Sequence, residues 1–170
     1  MKKTFFVLLC FFLYTHAWSQ EGGKDKKQIP SVQLKDMNGK SVNTAQLGFD
    51  GPVVISFWAT WCSPCKRELN TIQELYEDWQ LETGVNLVAV SIDDEKTKNS
   101  VPTYVNGKGW EYLVLMDPNG DFKRAMGVNN VPHTFLIDSD GTIIYSHNNY
   151  MPGDEEKLYE EIKKVAKPKK

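Results

Sequence analysis

Val53-Val54-Ile55-Ser56-Phe57-Trp58, followed by Ala59-Thr60-Trp61-Cys62-Ser63-Pro64-Cys65-Lys66, is the stretch of this chain that decides its fold. The first part is a nearly unbroken apolar run after Gly51-Pro52, the pattern of a short strand buried on both faces. From Pro64 to about Leu81 the period changes. Leu69, Ile72, Leu75, Tyr76 and Trp79 fall on one helical stripe, and Gly84 stops it. Residues 86–92 then form a second buried strand, so the chain opens its core with strand, helix, strand.

Working outward, Asp93 and Asp94 precede a polar, helical stretch at 95–107 interrupted by Pro102, and residues 112–116 read as another strand. Residues 134–138 and 142–146 flank a Ser139-Asp140-Gly141 turn and predict a hairpin. Residues 155–166 close the chain as an amphipathic helix through Leu158, Tyr159, Ile162 and Val165. Upstream, residues 31–34 and 41–43 flank turn residues 36–39 and predict a small N-terminal hairpin. There is no internal repeat. The sum is an α/β domain, a mixed sheet with parallel crossovers and helices on both faces.

At 170 residues, 41% hydrophobic and 25% charged, the chain suits one domain with a real core. A formal charge of −2 offers no basic face to displace counterions from phosphates, which excludes a nucleic-acid partner. Met1-Lys2-Lys3, the apolar run at 5–14 and the small residues Ala17 and Ser19 read as a signal peptide over 1–19. That run is short for a hydrocarbon layer of ~30 Å, so cleavage is expected over retention as a membrane tether. Lipidation at Cys10 is disfavoured by Leu9 before it. Loss of Lys2 and Lys3 takes the formal charge from −2 to −4. The expected organisation is signal 1–19, polar linker 20–28, folded domain 29–167 and basic tail 168–170, in the periplasm or cell envelope.

Export also removes Cys10, leaving Cys62 and Cys65, two cysteines too close in sequence to staple distant segments. They make either a reactive disulfide or half of a metal site. A zinc site needs two or three further ligands, and the remaining histidines, His133 and His147, are separated by the predicted hairpin, so no metal is expected. Cys62 stands where a helix begins, facing unpaired N–H groups and the positive end of the helix dipole, both of which favour thiolate. It is the expected nucleophile. Pro64 fits the first helical turn, where its missing N–H does no harm, and Cys65 behind it becomes the resolving thiol.

The segment Phe57-Trp58-Ala59-Thr60-Trp61-Cys62-Ser63-Pro64-Cys65-Lys66 resembles the active-site segment of thioredoxins, and from about Ile29 to Lys167 the chain is similar to the exported TlpA/ResA-like branch. The resemblance implies a thioredoxin-like fold with a central mixed sheet, an N-terminal β-hairpin and an insert between core strands. It implies a thiol:disulfide oxidoreductase that needs no cofactor beyond the Cys62-Cys65 redox disulfide and acts as a monomer. Its partners would be disulfide-containing exported proteins, apocytochrome c among them, and a membrane thiol donor of electrons. Val131-Pro132 matches the cis-proline that faces the cysteines in this fold. Trp61, Ser63, Pro64 and Val131 would meet the substrate, with Trp61 as an apolar rim.

Two features depart from plain thioredoxin. Ser56 stands where thioredoxins carry a buried aspartate, and Glu68 matches a glutamate of the ResA-like branch that assists proton transfer near the thiols. As an ordinary helix charge, Glu68 would instead be solvated and paired with Lys66 or Arg67. Trp58 is expected in the core or lining the surface. Asp93 and Asp94 either shape the cleft or cap a helix, and His133 either lines the cleft or is a turn residue. Peroxiredoxins share the fold, but the positions of their upstream Pro and Thr/Ser hold Ile55 and Ala59. Copper carriers of this fold usually space their cysteines by three residues, whereas two, Ser63 and Pro64, intervene here.

Overall fold

The computed structural model describes residues 27–166. The expected signal segment, most of the linker and the basic tail lie outside these residues. In chain order the elements are β1 (Gln33–Asp36), β2 (Ser41–Asn43), β3 (Val53–Trp58), α1 (Ser63–Thr83), β4 (Asn86–Ser91), α2 (Ser100–Lys108), β5 (Leu113–Met116), α3 (Asp121–Met126), β6 (His133–Ile137), β7 (Ile143–Asn148) and α4 (Asp154–Val165). All seven strands form one sheet in the order β2-β1-β5-β4-β3-β6-β7.

The pairing explains the sequence pattern. β3 is parallel to β4 and antiparallel to β6, β4 is parallel to β5, and every residue of β3 is buried, as a strand flanked on both sides and covered on both faces must be. Two parallel steps in the same direction put α1 and α2 on one face, where α4 joins them. That face packs Val54, Trp58, Leu69, Ile72, Leu87, Leu136 and Ile162. The other face packs Val53, Ile55, Phe57, Val88, Val90 and Phe135 beneath Phe122 and Met126 of α3.

Local chemistry sets the boundaries. Gly84 ends α1 with φ 68, a left-handed conformation that suits glycine, and a side chain at Gly51 would run into the Gly84 carbonyl. Together they let the end of α1 close tightly against the start of β3.

Two points depart from the sequence reading. Pro102 does not interrupt a helix over 95–107; α2 begins at Ser100, and Pro102 lies in its first turn, where an absent N–H is tolerated. The short α3, between left-handed Gly120 and Gly127, was not foreseen. At the start of the described residues, the Ile143 N–H donates to the Lys27 carbonyl over 2.8 Å, and Gln28 bridges Thr142. From that bridge the segment carries Ile29 and Val32 across the α3 face of the sheet to reach β1 on the far side.

Candidate active site

Where β3 ends, Ala59-Thr60-Trp61 turns the chain into α1, and Cys62 is the N-cap residue, with φ −90 and ψ 99. Cys62 and Cys65 are joined as a disulfide with Cα atoms 5.4 Å apart. The Cys65 N–H donates to Cys62 Sγ over 3.3 Å, so one of the orphan donors of the helix terminus is aimed at the first sulfur. Ser63 and Pro64 fill the first turn between the two sulfurs. Cys62 is 5% exposed and Cys65 0%, which leaves Cys62 the outer sulfur.

Trp61 is 60% exposed beside Cys62, an apolar surface in water, while Trp58 is fully buried against Tyr104 and Trp110. The Val131–Pro132 bond is cis, Val131 is partly buried, and Pro132 precedes β6, the antiparallel neighbour of β3. His133 pairs with Phe57 across the ladder, stacks on Phe135 and bonds Ser146 through Nε2, which places its ring on the α3 face, opposite α1.

Glu68 departs most from a surface reading. It is 4% exposed, and neither Lys66 nor Arg67 reaches it; the Lys66 ammonium sits over the Tyr104 ring instead. Its partners are hydroxyls: Ser56 donates to Oε2 over 3.1 Å and Thr134 to Oε1 over 2.7 Å. Burial pushes its carboxyl up to about 7, against the pull of those two hydrogen bonds. Ser56, which cannot itself carry a carboxylate on β3, thus holds one that arrives from α1. The sequence signal for this burial was the helix register, since Glu68 lies on the same stripe as Cys65, Leu69 and Ile72.

Asp93 is the residue sequence reasoning undervalued. Fully buried at the end of β4, it accepts from the Thr60 N–H over 2.8 Å, from the Thr60 hydroxyl over 2.5 Å and from Ser91 Oγ over 2.8 Å. It pins the loop that carries Trp61 and Cys62. Asp94 is the exposed capping residue, accepting from Lys96 and Thr97. A hollow of about 570 Å³ lies beside β1 and the end of β5, away from the cysteines.

A strand-to-helix turn presenting two bonded cysteines, one outer and one buried, with a buried carboxyl one helical turn further on, is suited to dithiol–disulfide exchange. Comparison with known proteins bears on that chemistry. The model of the AhpC/TSA family matches residues 26–146. The chain belongs to this family. Its AhpC/TSA relatives include the thiol-disulfide oxidoreductase ResA of Bacillus cereus, 32% identical over 92% of this chain and 87% of that protein. The ResA of Bacillus subtilis is 31% identical over 81% of this chain and 77% of its own length. Among solved structures, an uncharacterized thioredoxin-like protein of Porphyromonas gingivalis is 48% identical, covers 81% of this chain and 91% of that one, and superposes with a TM-score of 0.73. StoA of Bacillus subtilis, 21% identical over 78% of this chain and 97% of that one, shares the fold with a TM-score of 0.62. The fold is thioredoxin-like, and this AhpC/TSA member is a thiol:disulfide oxidoreductase.

Proposed function

We propose that the protein is an envelope reductase, which reduces disulfides of exported proteins, apocytochrome c among them, and is itself re-reduced by a membrane thiol donor. The observation that carries this reading is the buried Glu68 carboxyl, held near neutrality one turn beyond Cys65. In the reduced enzyme, Cys62 as thiolate attacks a substrate disulfide, and one substrate sulfur leaves as thiolate. Cys65 gives its proton to the Glu68 carboxylate and its sulfur attacks Cys62, expelling the second substrate thiolate and closing Cys62–Cys65. The enzyme loses two electrons and the substrate gains them, with no other cofactor. Trp61, Ser63, Pro64 and Val131 serve in this reading as the docking surface for the substrate strand, beside Pro132.

Two features favour the reducing direction. The interior of the motif, Ser63-Pro64, lacks the histidine that over-stabilises the thiolate of strong oxidants. Among the described residues, the hydrogen-bond donor to Cys62 Sγ is the Cys65 N–H. A potential nearer the roughly −270 mV of thioredoxin than the roughly −120 mV of DsbA is expected. Export rests on the segment at 1–19; no helix among the described residues is long and apolar enough to cross a membrane.

Cys65→Ser tests the scheme, because a mixed disulfide on Cys62 then has no internal thiol to resolve it. Expressed in its native envelope, the variant should accumulate reductant-releasable adducts with exported thiol proteins, c-type apocytochromes among them, and with a membrane donor. A broader set without cytochromes would indicate a general envelope reductase. No adduct at all, with copper copurifying with the wild type, would replace the reductase by a metal carrier.

A further inference from the structure

The proton that Glu68 takes from Cys65 in this scheme must leave before the next cycle, and the packing closes most directions. Both sulfurs are buried on the α1 side, Ser56 of β3 and Thr134 of β6 occupy the two carboxyl oxygens, and Tyr112, ahead of β5, spends its hydroxyl on the Leu69 carbonyl. Toward β7 and α4 the packing opens. A cavity of about 10 Å³ lies there, with Glu68 and Thr134 on its inner side and Tyr145, His147, Asp154 and Glu155 on its outer side. A cavity needs roughly 10–15 Å³ to take one water, so this one is at the lower limit for a single relay molecule; its wall is mostly carbon, Leu158 included, and the polar groups of the lining residues are the partners that molecule would use.

The strand register sets the outer wall. His147 stands directly across the ladder from Thr134, on the face that carries Glu68, and its Nε2 lies 3.2 Å from Asp154 Oδ2. The side chains of His147 and Asp154 are 35% and 12% exposed, so the pair reaches from the cavity to solvent. The other charged and titratable groups here are engaged. Lys157 holds Asp154 Oδ1 over 2.9 Å, Glu155 accepts from the Tyr150 hydroxyl and the Gly153 N–H, and Tyr145 stacks beside His147. Asp154 and Glu155 add negative charge that holds the Glu68 proton more tightly.

We propose that Glu68 exchanges its proton with solvent through this cavity, by way of one water and the His147–Asp154 pair, and not back past the sulfurs. The Glu68 O–H bond breaks as the water takes that proton and passes one of its own to the neutral imidazole. The imidazolium, stabilised by Asp154, then releases it to bulk, and no electrons move. The inference rests on the reading of Glu68 as the base for Cys65.

The experiment starts from a preformed mixed disulfide on Cys62 and follows, against pH and buffer concentration, both its single-turnover resolution and the proton release to solvent that comes after it. His147→Gln should slow proton release roughly tenfold, less than the ~10²-fold contributed by a group that takes the proton directly, and imidazole should restore the rate. Asp154→Asn, read by the carboxyl infrared band of Glu68, should move its titration to lower pH, because a charge that raises it is gone. Thermal melts show whether each variant is folded, and the Asp154→Asn titration decides the matter if His147→Gln is not. A wild-type rate in His147→Gln without buffer dependence, or an unmoved Glu68 titration in Asp154→Asn, overturns the route. Glu68→Gln separates the two readings. If it leaves the pH profile of resolution unchanged, the base assignment fails; if it alters that profile while His147→Gln releases its proton at the wild-type rate, the exit route alone fails.

Discussion

Two carboxylates flank the cysteine loop, and the contrast between them separates holding from titrating. Asp93 and Glu68 are both buried, and neither forms an ion pair among the described residues. Asp93 receives a backbone N–H and two hydroxyls, and a backbone N–H can do nothing but donate. Its surroundings fix it as an acceptor. Glu68 meets hydroxyls alone, from Ser56 and Thr134, and a hydroxyl can rotate from donating to accepting when the carboxyl gains a proton. The same residue chemistry therefore serves as a rivet in one place and tolerates a proton in the other, according to the kind of donor facing it.

The largest effect should follow from removing the rivet. Asp93→Ala removes the acceptor of the half-buried Thr60 N–H and hydroxyl and of the buried Ser91 hydroxyl, and should lower unfolding free energy by about 4 kcal/mol, with slower exchange at Cys62. Urea unfolding within about 0.5 kcal/mol of wild type would erase the contrast. Glu68→Gln should act in the opposite sense. The folded state binds the Glu68 proton more tightly than the unfolded chain, so this contribution to stability is complete below the ordinary carboxyl value of 4.5 and is lost as pH rises through about 7. Gln abolishes that slope. At pH 8 the variant should be more stable than wild type by up to about 3 kcal/mol, and a wild type whose stability does not fall between those pH values would contradict the burial argument. The smallest effect belongs to Thr134→Val, which removes a hydrogen bond that lowers the Glu68 value. It should cost about 1 kcal/mol at alkaline pH and move the midpoint of the exchange profile upward; a downward move would show that Thr134 acts mainly as an acceptor.

The strands at the centre were legible because burial on both faces writes itself as an apolar run: residues 53–58 match β3, and residues 86–92 overrun β4 by one residue. Cys62 was legible from its place at a strand-to-helix junction. Helix α3 was not, since six residues between two glycines give too little periodicity to read. Nor was the burial of Glu68, because a lone carboxylate in a helix suggests solvent unless its register with Leu69 and Ile72 outweighs its charge. Asp93 was visible as a polar strand end, but its partner Thr60 is distant in sequence, and such a bond is made by topology.

The bridge between Lys27–Gln28 and Thr142–Ile143 has a directional consequence. Ile143 pairs with Ile137, which pairs with Val53, so the bridge lies at the foot of the sheet, while Cys62 follows Trp58 at its head. Lys27 therefore sits at the pole opposite the sulfurs, and a pull applied at Lys27 would load its bond to Ile143 before the catalytic loop felt it.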